Sequence, residues 1–449
     1  MVTPAFGRQM RDEHFLFAKS YVPLNHGSYG AFPAAVRTYQ RSLQDQTEAR
    51  SDAFIRFKAP SLLLESRTAI AGLLQVPRQT VVFVPNATTG VNTVLRNLTW
   101  NEGDVIVYLS TAYGACEKTI VHVCEITPAT SVRIDALFPI EDDELVDTFR
   151  LTVQNIAAQQ GKHVKIAMFD TVCTFPGVRL PWEALVKACK AEDGAHGIGH
   201  IDLSDLGQID PDFFTSNCYK WLFTPRPCAI FYVPTRHHHL IRTTYPTSHG
   251  FRPLQEQQAA TSASSDNDYL GELFKWAATV DMSPYLCTLE ALKFRSNVCG
   301  GEAAIRNYCF DFAQQGGKRM AQLLETEVMD NKNATLSQCC FAVVRLPLRF
   351  ASDTVSTTYG FTDRRSEATR GGVEYNQQLL PPERGPEFVK TIMDKLRDEY
   401  DTWIPMKFYS GAIWFRISAQ VYLDMADLEW AAGVLSKLCK ELPGSASGS

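Results

Sequence analysis

The sequence predicts an α/β protein with a mostly parallel central sheet flanked by helices. Short β-branched runs alternate with longer amphipathic stretches through the first half of the chain, a pattern typical of strand–helix–strand units. Strands are expected at residues 81–84, 104–109, 164–169 and 229–233. Helices are expected at residues 34–48, 60–74 and 181–190. In sheets of this kind ligands bind at the carboxyl ends of the strands.

The pattern changes after about residue 250, and this change predicts a smaller α+β domain at the C-terminal end. A polar stretch at 255–268 indicates an exposed loop, and a second polar segment spans 352–372. Helices are expected at 283–297, 385–400 and 427–438, with strands at 339–346 and 412–418. We therefore expect an N-terminal segment, a large domain, a small domain and a flexible tail, at residues 1–30, 31–270, 271–443 and 444–449.

Composition favours an enzyme or binding protein for a small molecule. The 449 residues are 45% hydrophobic, enough for a large core, and the formal net charge is only −5, so no strong field attracts nucleic acid or an anionic membrane. No signal peptide is expected at residues 1–21, and no run of residues predicts a membrane span. The twelve cysteines are scattered without C-x-x-C spacing, which favours a reducing cytoplasm and no metal site. The run of three histidines at 237–239 is expected to be a solvated loop.

Lys220 is the first candidate catalytic residue. Aromatic and apolar residues surround it in the sequence Asn217-Cys218-Tyr219-Lys220-Trp221-Leu222-Phe223. A lysine is ordinarily a solvated charge, but partial burial would lower its pKa and favour Schiff-base chemistry.

A second signal is the segment Pro85-Asn86-Ala87-Thr88-Thr89-Gly90, which follows a predicted strand and opens a predicted helix. Free amides at a helix N-terminus can bind a phosphate. The alternative is simple N-capping by Asn86 or Thr88.

A third signal is the segment Glu192-Asp193-Gly194-Ala195-His196-Gly197. A buried aspartate beside a pyridine nitrogen would keep that nitrogen protonated, as pyridoxal phosphate (PLP) chemistry requires. The alternative is an ordinary turn, which Asp-Gly alone would predict. The order of phosphate site, ring partner and lysine favours the cofactor interpretation.

Taken together, the motifs resemble class V aminotransferases of PLP fold type I, over residues 24–438. Within that family the chain is most similar to the isopenicillin N epimerase-like branch, which includes carbon–sulfur lyases of ergothioneine biosynthesis that act on hercynylcysteine sulfoxide. The motifs that carry the resemblance lie at residues 25–30, 87–92, 193–196, 217–221 and 416–418.

The resemblance implies roles for particular residues. Lys220 would form the Schiff base, Asp193 would pair with the pyridine nitrogen, and Arg416 would bind the substrate carboxylate. Further cofactor contacts are implied for Thr88, Thr89, Tyr113, Thr171, His196, Asn217 and Tyr219. A homodimer with shared active sites is also implied, in which Thr279 would contact the cofactor of the other subunit. Asn25, His26 and Tyr29 would contribute to the substrate side.

One feature departs from the family pattern. Only residues 183–192 separate Trp182 from Asp193, whereas the family has room there for both a helix and an apolar strand. Either residues are missing from this chain or the sheet is rearranged.

The reaction implied is β-elimination of an S-substituted cysteine sulfoxide, such as hercynylcysteine sulfoxide. The products would be a sulfenate or thione, pyruvate and ammonia. Tyr113 could protonate the leaving group or only stack on the cofactor. A cysteine desulfurase, an isopenicillin N epimerase-like enzyme and an aminotransferase remain the alternatives. The segment 341–416 contains no cysteine, which counts against sulfur transfer through a persulfide.

Overall fold

The structure is a computed structural model that describes residues 5–188, 196–253, 268–351 and 379–442. Its strands are β1 Val81–Val84, β2 Asp104–Leu109, β3 Thr130–Ile134, β4 His163–Met168, β5 Phe214–Asn217, β6 Ala229–Tyr232, β7 Phe341–Arg345, β8 Met406–Tyr409 and β9 Ala412–Ser418. They form three described sheets, with the orders β1-β6-β5, β3-β2-β4 and β7-β9-β8.

Helices flank these sheets. In the first half they are α1 Arg8–His14, α2 His26–Tyr29, α3 Ala34–Ala49, α4 Ser51–Ala53, α5 Ala59–Leu74, α6 Ala87–Asn97, α7 Gly114–Ile126, α8 Asp142–Ala157, α9 Trp182–Ala188, α10 Leu206–Ile209 and α11 Cys218–Trp221. In the second half they are α12 Tyr269–Phe274, α13 Ser283–Leu286, α14 Thr288–Asn297, α15 Glu302–Leu324, α16 Gly385–Tyr400 and α17 Met425–Lys440.

The first two sheets combine parallel and antiparallel pairing. β2 pairs in parallel with both β3 and β4. β1 and β5 both run antiparallel to β6, so these two strands point the same way and β6 is the reversed strand. The fully buried strands β1, β2 and β5 are covered on both faces, as expected for an α/β layer structure.

The large sheet is divided between β4 and β5, which lie on opposite sides of a narrow apolar cavity. Ile166–Met168 of β4 and Phe213–Thr215 line it, together with residues 90–95 at one face of α6. No pairing joins these two strands among the described residues. The division falls where the sequence leaves little room for a strand before Asp193, and residues 189–195 themselves lie outside the described part of the chain.

The C-terminal sheet β7-β9-β8 is antiparallel and packs on the long helix α15. The N-terminal helix α1 is fastened to α17 by Arg11, whose guanidinium donates two hydrogen bonds of 3.1 Å from Nη1 to the carboxylate of Asp427. Both side chains are buried. The start of the chain is therefore anchored on the C-terminal layer and passes next to the site described below.

Most predicted elements agree with the structure to within a few residues, but two differ. The single helix expected at 283–297 is broken into α13 and α14 at Cys287. The histidine run is not a solvated loop throughout, because His238 is buried and its Nε2 lies 3.0 Å from the carbonyl of Val233. The polar stretches expected at 255–268 and 352–372 and the tail 444–449 lie largely or wholly outside the described residues.

Candidate active site

The carboxyl ends of β1 and β5 meet at one edge of the sheet. β1 leads into α6, and β5 leads directly into the short helix α11, which carries Lys220. Asn217, the last residue of β5, accepts a hydrogen bond of 2.9 Å through its Oδ1 from the backbone amide of Ala87. This contact ties the lysine segment to the start of α6, so the two segments expected to hold the cofactor are adjacent.

Lys220 is buried, and its Nζ lies 2.8 Å from Nε2 of His196. The same imidazole nitrogen lies 3.1 Å from the hydroxyl of Thr174. Nδ1 of His196 accepts a hydrogen bond of 3.3 Å from the indole of Trp221. An indole N–H can only donate, so the Nδ1 that accepts from it carries no proton. The single proton of the neutral His196 ring is therefore on Nε2. A neutral Lys220 amine can then accept a hydrogen bond from Nε2–H.

Burial keeps the histidines of this region neutral. Burial holds the pKa of His196 well below its ordinary value, and the positive charge of Lys220 when it is protonated and that of Arg416 act in the same direction. Burial likewise lowers the pKa of His26 and of His200 to about 3. His196 contacts Lys220 directly, and the rings of His26 and His200 lie 5.1 Å and 4.1 Å from the ring of the neighbouring Trp221, so these neutral imidazoles add no charge to the site.

Arg416, on β9, brings a buried positive charge to the same site. Its Nη1 donates to the carbonyl of Thr174, and its Nη2 donates to Oδ1 of Asn25 at 3.2 Å. Its guanidinium lies 4.3 Å from the ring centroid of Phe341, and burial lowers its pKa to about 10, so it remains charged at neutral pH. No carboxylate in the described residues forms an ion pair with it, and its Nε has no hydrogen-bond partner there.

The segment from Asn25 to Gly30 lies over the lysine and the arginine. Asn25 contacts Arg416 as described, and the hydroxyl of Ser28 donates a hydrogen bond of 2.7 Å to Asn25 Oδ1. His26 is buried, with its Nδ1 2.7 Å from the hydroxyl of Tyr422, whereas Tyr29 is 71% exposed. Gly30 approaches so closely that a Cβ there would lie 1.7 Å from the carbonyl oxygen of Tyr219.

The remaining predicted residues take different positions. Tyr113 precedes α7 and is half exposed. Tyr219 is partly buried, and this burial raises the pKa of Tyr219. The nearby Tyr113 raises it further. Thr279 is exposed at the surface of the chain. Asp193 lies outside the described residues.

At the start of α6 the structure shows the N-cap that was the alternative interpretation. Oδ1 of Asn86 accepts from the backbone amide of Thr89 at 2.8 Å and from its hydroxyl at 3.1 Å. The Thr89 amide, expected to hold the phosphate, is thus satisfied within the helix. Thr88 stays partly exposed at this helix N-terminus, where the helix dipole still favours an anion.

The described residues fit PLP. A buried amine, a helix N-terminus and a buried guanidinium converge, and the fully buried hydroxyl of Thr171 at the end of β4 has no hydrogen-bond partner among the described residues. A buried unsatisfied hydroxyl is costly, so a bound polar group would stabilise this edge of the sheet. Lys220, His196, Asn217 and Thr171 are the residues that would hold it.

Sequence reasoning missed two residues of this site. Thr174 contacts both His196 and Arg416, and Ser28 contacts Asn25 and lies 3.4 Å from Nη2 of Arg416. Thr174 follows the end of β4 by several residues in an irregular segment, so no periodicity marks it. Ser28 lies within the motif at residues 25–30, but a serine there has no property that distinguishes it from an ordinary loop residue.

Fold and site together define a fold type I PLP enzyme, and the family comparison agrees. The family model for aminotransferase class V matches residues 34–346. The chain belongs to this family. The predicted family, type I fold and cofactor are confirmed.

The curated relatives place the chain in a carbon–sulfur lyase branch of the family. It is 36% identical over 455 residues to the L-cysteine desulfhydrase-like protein lolT1 of Epichloe uncinata, covering 97% of this chain and 96% of that protein. It is 26% identical over 441 residues to the hercynylcysteine sulfoxide lyase of Schizosaccharomyces pombe, covering 97% and 98%. The prediction of an enzyme of the carbon–sulfur lyase class is confirmed at this level.

Solved structures share the fold. A lysine-to-alanine mutant of C-DES with glycine covalently linked to the PLP cofactor matches with a TM-score of 0.70 and 14% identity, over 93% of this chain and 96% of that one. The cysteine desulfurase CsdA of Escherichia coli matches with a TM-score of 0.69 and 13% identity, over 98% and 100%. Among the described residues, no helix is both long and apolar enough to cross a membrane.

Proposed function

We propose that this chain is a PLP-dependent lyase that breaks the Cβ–S bond of an S-substituted cysteine and releases pyruvate and ammonia. The observation that carries the proposal is the contact of 2.8 Å between Lys220 Nζ and His196 Nε2, next to the buried charge of Arg416. A proton acceptor and a carboxylate site are thus held together where an amino acid would bind.

Each described residue has a defined task in this proposal. Arg416 binds the substrate α-carboxylate through a planar fork of donors, and Asn25 orients that fork. PLP, when bound, withdraws electrons from the substrate α-carbon. Lys220 Nζ removes the α-proton, and the Nε2–H of neutral His196 donates a hydrogen bond that orients the Lys220 amine.

Tyr113 is the residue we assign to the leaving sulfur. Its side chain is half exposed and close to Tyr219, the residue before Lys220. A phenol in that position can donate the proton that a departing sulfenate or thiolate needs. Asp193 is proposed as the partner of the pyridine nitrogen and Thr279 as a contact to the cofactor of a second subunit in a cytoplasmic homodimer.

The residue ranges 1–30, 31–270 and 271–443 remain our proposal for the division into domains.

The substrate we propose is hercynylcysteine sulfoxide, as in the S. pombe relative, which would place the enzyme in ergothioneine formation. A specific observation favours a second candidate, because the L-cysteine desulfhydrase-like relatives are more similar, at 36% identity. Free cysteine would then be the substrate, with sulfide as the product.

Pyruvate release from the two substrates tests the proposal. Purified protein loaded with PLP is incubated with a cysteine sulfoxide conjugate or with free cysteine, and pyruvate is measured by a coupled dehydrogenase. We expect pyruvate from the sulfoxide and little from cysteine; the opposite preference would favour the second candidate. Lys220→Ala should abolish turnover, whereas Lys293→Ala, which removes an exposed lysine, should not. Alanine instead of pyruvate would contradict a lyase.

A further inference from the structure

Arg295, on α14, lies behind the catalytic lysine and contacts two segments of the site at once. Its side chain is only 1% exposed. Its Nη1 donates a hydrogen bond of 2.8 Å to the carbonyl of Trp221, and its Nη2 donates one of 3.3 Å to the carbonyl of Gly199. Trp221 follows Lys220 directly, and Gly199 is the third residue after His196. One guanidinium therefore bridges the lysine segment and the histidine segment.

The helix that carries Lys220 needs such support. α11 has only four residues, so its terminal carbonyls have few partners within the helix and its own hydrogen bonds do little to hold its shape. A positive charge at a helix C-terminus satisfies these carbonyls and interacts well with the helix dipole. Arg295 supplies that charge at Trp221.

The two segments also approach each other very closely at this point. Gly199 has a φ of +74°, and a Cβ there would lie 2.7 Å from the carbonyl oxygen of Trp221. On the other side of the same two segments, Lys220 Nζ and His196 Nε2 meet at 2.8 Å. The same two segments therefore approach closely both at Gly199 and Trp221 and at the two atoms Nζ and Nε2.

Glu302, at the start of α15, holds the arginine in place. Nε of Arg295 donates a hydrogen bond of 2.6 Å to Oε1 of Glu302, and Nη2 donates to Oε2. Burial opposes ionisation of Glu302, but the charge of Arg295 outweighs it and holds the pKa of Glu302 below its ordinary value. The ring of Phe223 lies 5.2 Å from the guanidinium on a further side. The fork of donors is thus fixed before any ligand binds.

We propose that Arg295, fixed by Glu302, is a positioning residue that sets the distance between Lys220 and His196. It touches neither substrate nor cofactor and acts through the Trp221 and Gly199 carbonyls. The inference rests on the proposed function, because it assumes that Lys220 is the cofactor-binding lysine. A misplacement of about 1 Å in such a pair can cost on the order of a hundredfold in rate.

The test compares Arg295→Lys with Arg11→Lys. Lysine keeps the charge but cannot bridge two carbonyls and both oxygens of one carboxylate. Arg11 is the matched control, since it is also buried and also forms a forked ion pair, with Asp427, but contacts neither Trp221 nor Gly199. Three quantities are measured for each protein: the melting temperature, the rate at which added PLP gives the yellow lysine-bound form, and kcat and KM for pyruvate release.

We expect Arg295→Lys to slow formation of the yellow form by about tenfold and to lower kcat by about 10- to 100-fold, with KM changed by less than about threefold. Arg11→Lys should lower the melting temperature but leave both rates at the wild-type value. Equal effects of the two variants on all three quantities would overturn the inference, because they would show that Arg295 contributes only to stability.

A second variant keeps the test decisive if Arg295→Lys does not fold. Glu302→Gln leaves both carbonyl contacts possible but removes the counter-charge that orients the fork, so we expect slower formation of the yellow form in folded protein. An unchanged rate in that variant would overturn the inference. A wild-type protein that forms no yellow species would instead refute the assignment of Lys220 and hence the proposed function.

Discussion

Mild acid should destabilise the protein through its buried histidines. Burial lowers the pKa of His26 and of His200 from 6.5 to about 3, so both stay neutral in the folded chain over the range in between. The unfolded chain binds protons at these residues below about pH 6.5, which means that the free energy of unfolding falls as the pH falls. The stability is present above pH 6.5 and is lost progressively towards pH 3.

The size of the effect follows from one pKa unit being worth about 1.4 kcal/mol. Between pH 7 and pH 5 each of the two histidines should remove about 2 kcal/mol of stability, or about 4 kcal/mol together. His196, whose pKa is also lowered by burial, acts in the same direction. This loss is comparable with a large part of the stability of an ordinary domain.

Urea denaturation of the cofactor-free protein at pH 7, 6 and 5, followed by tryptophan fluorescence, measures this dependence. His200→Gln removes one titrating ring and should reduce the slope below pH 6 by about 1.4 kcal/mol per pH unit. A urea midpoint that does not change between pH 7 and pH 5, or a variant with the wild-type slope, would refute the reasoning.

Three further predictions concern the site. Gly30→Ala should weaken PLP retention on dialysis, because its Cβ would overlap the Tyr219 carbonyl, whereas Gly411→Ala, at a similar φ of +74° but with nothing within 4 Å, should lose only stability. Arg416→Lys should raise KM by about 10- to 100-fold by removing the planar fork, and an effect confined to kcat would contradict its role in carboxylate binding. Thr174→Val should lower kcat about fivefold, because it removes a hydrogen bond to His196 worth about 1 kcal/mol. The same change at Thr171 tests whether the hydroxyl that the sequence implied as a cofactor contact affects kcat instead.

The sequence predicted the fold well where hydrophobic periodicity determines structure. The strands at 81–84, 104–109 and 412–418 begin and end at the predicted residues, since each is a short apolar run bounded by polar residues or glycine. The break between α13 and α14 could not be foreseen because helical periodicity continues through Cys287. The division between β4 and β5 falls where the short spacing before Asp193 had indicated missing residues or a rearranged sheet, although that spacing did not define the pairing.

For the site, the sequence identified the residue types that chemistry requires but not the contacts that position them. Lys220 was a candidate because aromatic and apolar residues flank it, and the roles of His196 and Arg416 were implied by the resemblance of their motifs to the family. Thr174 and Arg295 were missed, since the first acts from an irregular segment and the second is one arginine on an otherwise ordinary helix. Their importance follows from distances across the fold, between residues far apart in the chain.

The buried charge of Arg416, which has no carboxylate partner among the described residues, implies a trade-off between stability and activity. A buried cation whose described partners are neutral oxygens is held at a cost to the folded state, and evolution retains such a group only where function needs it. Exchange for an uncharged side chain of similar length, as in Arg416→Met, should therefore give a more heat-resistant but inactive protein. Small carboxylates that occupy the site should protect the wild type against heat and proteolysis, which makes a thermal-shift screen of amino acids a direct way to rank its natural ligands.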